Sequence, residues 1–279
     1  MLRKAAIAVN HWSMRGKDMQ NETINAAFNP PALKDTLLDA PRALWESSGL
    51  LRKKQLLRKS VRGDGHPVLV IPGYGANDQL MKPLRRYLAD IGYDPRPWNQ
   101  GLNFRFTRIT ALDQINAFRA EMQDKLATEI DHVFRQTGEK VSLVGWSLGG
   151  VYAHSLGVRL PQQVRRVVTL GAPFGDPRDT AAWNLLKRIH RSDTDDNSHD
   201  FTGWSNHGRE DEAAAQVSES ASPAPVFVLY SEQDGIVSPG AARLNEANHI
   251  RHIAVKSSHM GFAYNPAVYL AIADCLASP

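Results

Sequence analysis

Residues 141–150 read Val141-Ser142-Leu143-Val144-Gly145-Trp146-Ser147-Leu148-Gly149-Gly150, and the rest of the chain is best understood outward from them. The apolar run Val141 to Val144 predicts a buried strand, and Leu148 to Leu160 predicts a helix, so Ser147 falls at a strand–turn–helix junction. A serine in that junction occupies a strained turn, and strand and helix approach so closely that the flanking positions have little room for side chains. Gly145 and Gly149 provide the room. Ser147 is the candidate nucleophile.

A serine hydroxyl is a poor nucleophile until a base takes its proton and a third group holds the base in the right tautomer. Such partners belong at the ends of later strands. Beyond the run Ile250–Val255 comes His259, in Ser257-Ser258-His259-Met260-Gly261; beyond Val226–Tyr230 comes Asp234, in Ser231-Glu232-Gln233-Asp234-Gly235. Asp176, in Gly175-Asp176-Pro177, and Glu232 are the other acids to test. His249 and His252 are the other bases, although both fall at or within a predicted strand. His154, on the helix that follows Ser147, reads as a core histidine. Acyl transfer also needs donors for a tetrahedral oxyanion. One is the amide of Leu148; the second is assigned to the amide of Tyr74 in Pro72-Gly73-Tyr74-Gly75-Ala76-Asn77, where glycines let the backbone turn its amides inward.

From His66 onward, strand-like and helix-like runs alternate: His66–Ile71, then helix Asp78–Ile91; Tyr93–Trp98, then helix Leu112–Gln136; Lys140–Gly145, helix Leu148–Leu160, then Val164–Leu170, Val226–Tyr230 and Ile250–Val255. Strands separated by helices predict parallel pairing through right-handed crossovers, a doubly wound α/β sheet of about six strands. Before His66 no strand is predicted; Ala32–Leu38 and Arg42–Leu51 read as short helices punctuated by prolines. The connection from Phe174 to Pro225 far exceeds the usual roughly 2 to 6 residues. Its helical stretch Ala181–Arg191 and acidic, Ser/Ala-rich remainder predict a lid or cap insertion. The expected organisation is thus a basic helical arm over 1–63, a core over 64–173 and 226–279, and a lid over 174–225.

The 279 residues, 42% hydrophobic and 22% charged, form a globular chain rather than a disordered one. The excess of positive charge is local. Residues 1–63 carry 12 Lys+Arg against 5 Asp+Glu, whereas 174–225 carry 5 against 10. With no nucleic-acid motif in the arm, no nucleic-acid partner is expected. Leu50–Arg62 interleaves leucines with basic residues, which fits either a helix docking its leucines on the body or peripheral contact with an anionic membrane. His190, Asp193, Asp195, Asp196, His199, Asp200 and His207 cluster in the insertion without metal-loop spacing, so they read as a solvated acidic loop and no metal is expected. The lone Cys275 fits a reducing compartment. Ala5–Val9 is too short for a secretory segment, and the longest apolar run, Ala267–Ala273, is too short to span a membrane. A cytoplasmic location is expected.

Taken together, PVLVIPGYGA, VSLVGWSLGGVYA, VVTLGAPFGDP, VFVLYSEQDGIVSP and SSHMGFAYNP resemble, in order, the α/β-hydrolase superfamily and its bacterial lipase/esterase-like branch. The resemblance covers roughly 65–173 and 226–279. It implies a serine hydrolase or acyltransferase with Ser147 as nucleophile, His259 as base, Asp234 as orienting acid, the amides of Tyr74 and Leu148 as oxyanion hole, and no cofactor. Many relatives carry histidine where this chain has Trp146, and His-Gly where it has Pro72-Gly73. The expected reaction is hydrolysis of small-molecule or lipid carboxylic esters with apolar acyl groups through an acyl-enzyme. A thioesterase or acyltransferase on the same three groups, or a non-catalytic binding protein on the same scaffold, is the alternative.

Overall fold

Uninterrupted runs of Val, Leu and Ile become strands here because both of their faces can be covered. A computed structural model describes residues 29–105, 112–183 and 223–278. In it the strands are β1 (Pro67–Ile71), β2 (Asp94–Pro97), β3 (Val141–Trp146), β4 (Val164–Leu170), β5 (Val226–Tyr230) and β6 (Ile250–Ala254). They form one sheet in the order β2-β1-β3-β4-β5-β6, and every pairing is parallel. Two helices, α1 (Leu33–Arg52) and α2 (Lys54–Arg58), precede the sheet; α3 (Asp78–Asp90), α4 (Leu112–Thr137) and α5 (Leu148–Arg159) make crossovers, and α6 (Pro266–Ala277) ends the fold.

Alternation along the strands sorts side chains to opposite faces. Val68, Val70 and Val144 pack with Leu84 of α3 and Tyr269 of α6. Leu69, Ile71 and Leu143 pack with Ile130 of α4 and Tyr152 of α5. The apolar run Ala267–Ala273 belongs to α6, a core helix started by Asn265, whose side chain accepts from the Ala267 amide, and by Pro266 in the first turn. Among the described residues no helix is long and apolar enough to cross a membrane. Because β1 lies between β2 and β3, the chain leaves β1 to one side and, after β2, returns on the other. A crevice therefore opens beyond the carboxyl ends of β1 and β3, where ligands bind in open α/β sheets.

Ala32–Leu38 and Arg42–Leu51 were expected as two short helices; one helix of 20 residues, α1, runs through both stretches, with Pro41 inside it. Proline removes one backbone donor, whose acceptor would be the Leu37 carbonyl. Leu37 is 68% exposed, so water can take that place. The Leu50–Arg62 segment divides: Leu57 is buried and Leu50 packs on the core, whereas Leu51, Leu56 and Val61 are exposed. In the insertion, Pro177–Asp179 forms a 3-10 turn and Thr180 bridges to Val237. Most of the predicted helix Ala181–Arg191 and the acidic cluster with His190, His199 and His207 lie outside the described residues.

Candidate active site

Ser147 sits between β3 and α5 with φ 53° and ψ −125°, a left-handed backbone rare for residues other than glycine. Such a conformation costs on the order of 1–3 kcal/mol and persists only where the surroundings impose it. Here they do. A Cβ at Gly145 would overlap the Gly149 carbonyl, one at Gly149 would stand 2.5 Å from the Ile71 carbonyl oxygen, and one at Gly150 2.6 Å from Ala172 Cβ. The Ser147 amide also donates to Leu170 O at 2.9 Å, tying the turn to the end of β4.

The structure brings Ser147, His259 and Asp234 together. His259 Nε2 lies 3.0 Å from Ser147 Oγ, and His259 Nδ1 lies 2.8 Å from Asp234 Oδ2. The other oxygen of Asp234 accepts from the amides of Ile236 and Val237, each at 2.8 Å. Asp234 is thus at once a turn-forming residue and the histidine's partner. Both His259 and Asp234 are buried. Burial opposes charging His259, but the charge and hydrogen bond of Asp234, with the charge of Asp39, outweigh it, and the imidazole is raised above its ordinary 6.5. Trp146 explains itself as well: its indole Nε1 donates to the His259 carbonyl at 3.0 Å, and its ring lies 5.8 Å from the imidazole.

The loop 72–77 crosses close to the nucleophile, since a Cβ at Gly73 would stand 3.0 Å from Ser147 Cβ. It is held by Asn103, which is fully buried. The Asn103 side-chain amide donates to Pro72 O at 2.9 Å, its backbone amide donates to Ala76 O, and its carbonyl accepts from the Gly75 amide, both at 2.8 Å. Leu148 is the first residue of α5, where an amide has no acceptor within the helix. Tyr74, Leu148 and Ser147 line one cleft, with Phe118, Trp183 and Val237 making much of its apolar wall and Arg105 its charged group.

The other candidates lie elsewhere. Asp176 caps the 3-10 turn and pairs with Arg178 at 2.6 Å, and Glu232 is exposed. His252 lies on β6, where its Nε2 accepts from the Leu244 amide. His154 is buried beside Phe174, and burial pushes it down to about 4, so it stays neutral. Cys275 is buried too, its thiol pushed up to about 12 mainly by burial. Among the described residues no group of His, Cys, Asp or Glu could hold a metal ion. Reading the sequence missed Asn103, and also Asp39 and Glu46 of α1, which accept from the His259 and Ser258 amides; none stands in a motif, and each acts on a loop distant in the chain.

No family model matches this chain. Two curated relatives are the pimeloyl-[acyl-carrier protein] methyl ester esterases of Shewanella woodyi and Shewanella sp. MR-7. They are 23% and 25% identical over 122 and 130 residues, covering 43% and 46% of this chain and 42% and 43% of those proteins. The chain spans less than half the length of these relatives. Similar solved structures include the mature form of the Bacillus licheniformis lipase BlEst2 (15% identity, 78% of this chain and 94% of that one, TM-score 0.51). Another is the Paleococcus ferrophilus monoacylglycerol lipase (17% identity, 78% and 95%, TM-score 0.50). The chain has the α/β-hydrolase fold.

If the three side chains act together, Ser147 will react with a fluorophosphonate and Ser147→Ala will abolish the label. Asp234→Asn is expected to keep the fold and slow labelling by roughly 10⁴-fold, because the histidine takes the wrong tautomer. Asp176→Asn should label at nearly the wild-type rate. The reverse pattern, read by mass spectrometry, would move the acid to the earlier loop.

Proposed function

We propose that this protein is a serine hydrolase that cleaves carboxylic esters with apolar acyl groups through an acyl-enzyme on Ser147. The observation that carries this reading is the pair of hydrogen bonds linking Ser147, His259 and Asp234 at the wall of an apolar cleft. In this mechanism Ser147 Oγ attacks the ester carbonyl as His259 Nε2 takes its proton. The oxyanion is received by the amides of Tyr74 and Leu148, and collapse expels the alcohol with the proton from His259. Water, deprotonated by His259, then releases the acid and restores Ser147. Asp234 holds the imidazole tautomer and stabilises the imidazolium. No step calls for a cofactor.

The relatives support ester chemistry by their names, and the cleft supports an apolar acyl group. A thioesterase or an acyltransferase needs the same three groups and differs in what leaves or attacks. A binding protein on this scaffold has no use for a strained serine aligned on a buried histidine. The described start of the insertion supports reading 174–225 as a lid, since Pro177, Thr180, Ala182 and Trp183 line the cleft. A series of p-nitrophenyl esters, short to long, run beside acyl-CoA thioesters, tests both points. Esters are expected to be the better donors, and replacing 184–222 by a short Gly/Ser loop to shift the chain-length preference while short esters are still cleaved. Thioesters preferred throughout would favour the thioesterase; an unchanged preference would remove the lid.

One further observation favours a lipid surface as the source of substrate. Leu33, Leu37, Leu44, Trp45 and Leu51 of α1 are 68–83% exposed, and the exposed Arg52, Lys53, Lys54, Arg58 and Lys59 follow at its end. An apolar face with an adjoining basic cluster matches the acyl–headgroup boundary of an anionic bilayer. The protein is expected to sediment with phosphatidylglycerol vesicles but not with phosphatidylcholine ones, and Leu44→Glu with Trp45→Glu to weaken the association. Equal recovery from both vesicle types would count against this reading.

A further inference from the structure

The loops that carry Asp234 and His259 leave β5 and β6 separately, and both are gripped by α1, which precedes the sheet. Asp39 of α1 is 2% exposed. Its Oδ1 accepts from the Gly235 amide at 3.2 Å and the His259 amide at 2.6 Å, and its Oδ2 from the Met260 amide at 3.0 Å. One turn before it, Thr36 Oγ1 donates to Gly235 O at 2.7 Å. Two turns after it, Glu46 accepts from the Ser258 amide at 2.9 Å and from the hydroxyls of Ser258 and Ser257 at 3.0 and 3.2 Å. The fit leaves no slack: a Cβ at Gly235 would overlap the Asp35 carbonyl, and one at Gly261 would overlap the Glu46 carboxylate.

We propose that Asp39 is a positioning residue for the base, a carboxylate outside the triad that locks the backbone after Asp234 to the backbone of His259 and so sets the acid–histidine–serine spacing. This rests on the reading of Ser147, His259 and Asp234 given above. The geometry is specific, because a single oxygen of Asp39 receives one amide from each loop. Among the described residues no lysine or arginine pairs with Asp39. Its bonds go to backbone amides, and its charge favours the imidazolium of His259. The charged groups facing that ring are Asp234 from the β5 loop and Asp39 from α1, while Glu46 of α1 holds the adjacent Ser258; Trp146 of β3 is neutral. Asp39 touches neither the cleft nor the reacting atoms. Its removal should therefore act on turnover and on the protonation of His259, leaving substrate affinity alone.

The test uses the full chain with Asp39→Ala and Asp39→Asn, measuring the pH dependence of fluorophosphonate labelling and steady-state hydrolysis of p-nitrophenyl butyrate. Asp39→Ala releases both loops and is expected to lower kcat by about 10²-fold, with KM within about twofold. Asp39→Asn keeps an oxygen for the amides of Gly235 and His259 and should recover most of that loss. It also removes a negative charge beside the imidazole, so the acid limb of its labelling profile should move to lower pH. If Asp39→Ala does not fold, the limb of Asp39→Asn decides. Folded variants with wild-type kcat and an unmoved limb, even with a lowered melting temperature, would overturn the proposal, as would a loss confined to KM. Retained labelling and turnover in Ser147→Ala would instead show that the underlying triad reading fails, whatever the Asp39 variants do.

Discussion

The 3.0 Å approach of His259 Nε2 to Ser147 Oγ is the contact that the rest of the molecule serves. Serine cannot adapt to a misplaced histidine, because it is frozen at positive φ in a turn whose flanks admit only glycine. The adjustment has to come from the histidine side. His259 lies in Ser257-Ser258-His259-Met260-Gly261, whose one large apolar side chain, Met260, is exposed rather than buried as an anchor. Its position is accordingly set by polar contacts: Asp234 on the ring, Trp146 on the carbonyl and Asp39 on the amide. Ring, carbonyl and amide are each held by a different element, which is what turns a flexible-looking loop into a fixed one.

The same logic runs on the opposite side of Ser147. The loop after β1 is rich in glycine, which lets it turn sharply beside Ser147 and leaves it few side chains to anchor it. Asn103 supplies the anchor, bonding at Pro72, Gly75 and Ala76. Glycine provides the shape at both the elbow and this loop, and a buried polar side chain from elsewhere holds it.

That division explains what could be read from the sequence. The strands were legible to within a residue or so, since Val141–Val144 or Val226–Tyr230 reveal burial by composition alone. Ser147, Asp234 and His259 were legible as positions because each stands next to a strand end and beside glycine or serine. Their supports were not. The bonds of Asp39 reach 196 and 220 residues along the chain, and nothing in Leu37-Leu38-Asp39-Ala40 hints at them. Pro41 was read as a boundary because proline deletes a donor; that local rule lost to the anchoring of α1 by Asp39 on one side of the proline and Glu46 on the other. Trp146 looked like a departure from its relatives, yet its indole N–H lies where it can bond the histidine backbone.

Burying the Asp39 carboxylate has a further consequence. A carboxylate removed from water costs several kcal/mol unless its oxygens are satisfied. Here the satisfying donors are amides of the two loops that carry Asp234 and His259. If α1 lifts away, the carboxylate regains water while the amides of Gly235, His259 and Met260 lose their acceptor. The docking of α1 and the ordering of those loops are therefore one event. A helix that precedes the sheet in the chain is thus energetically coupled to the loops at the sheet's other end.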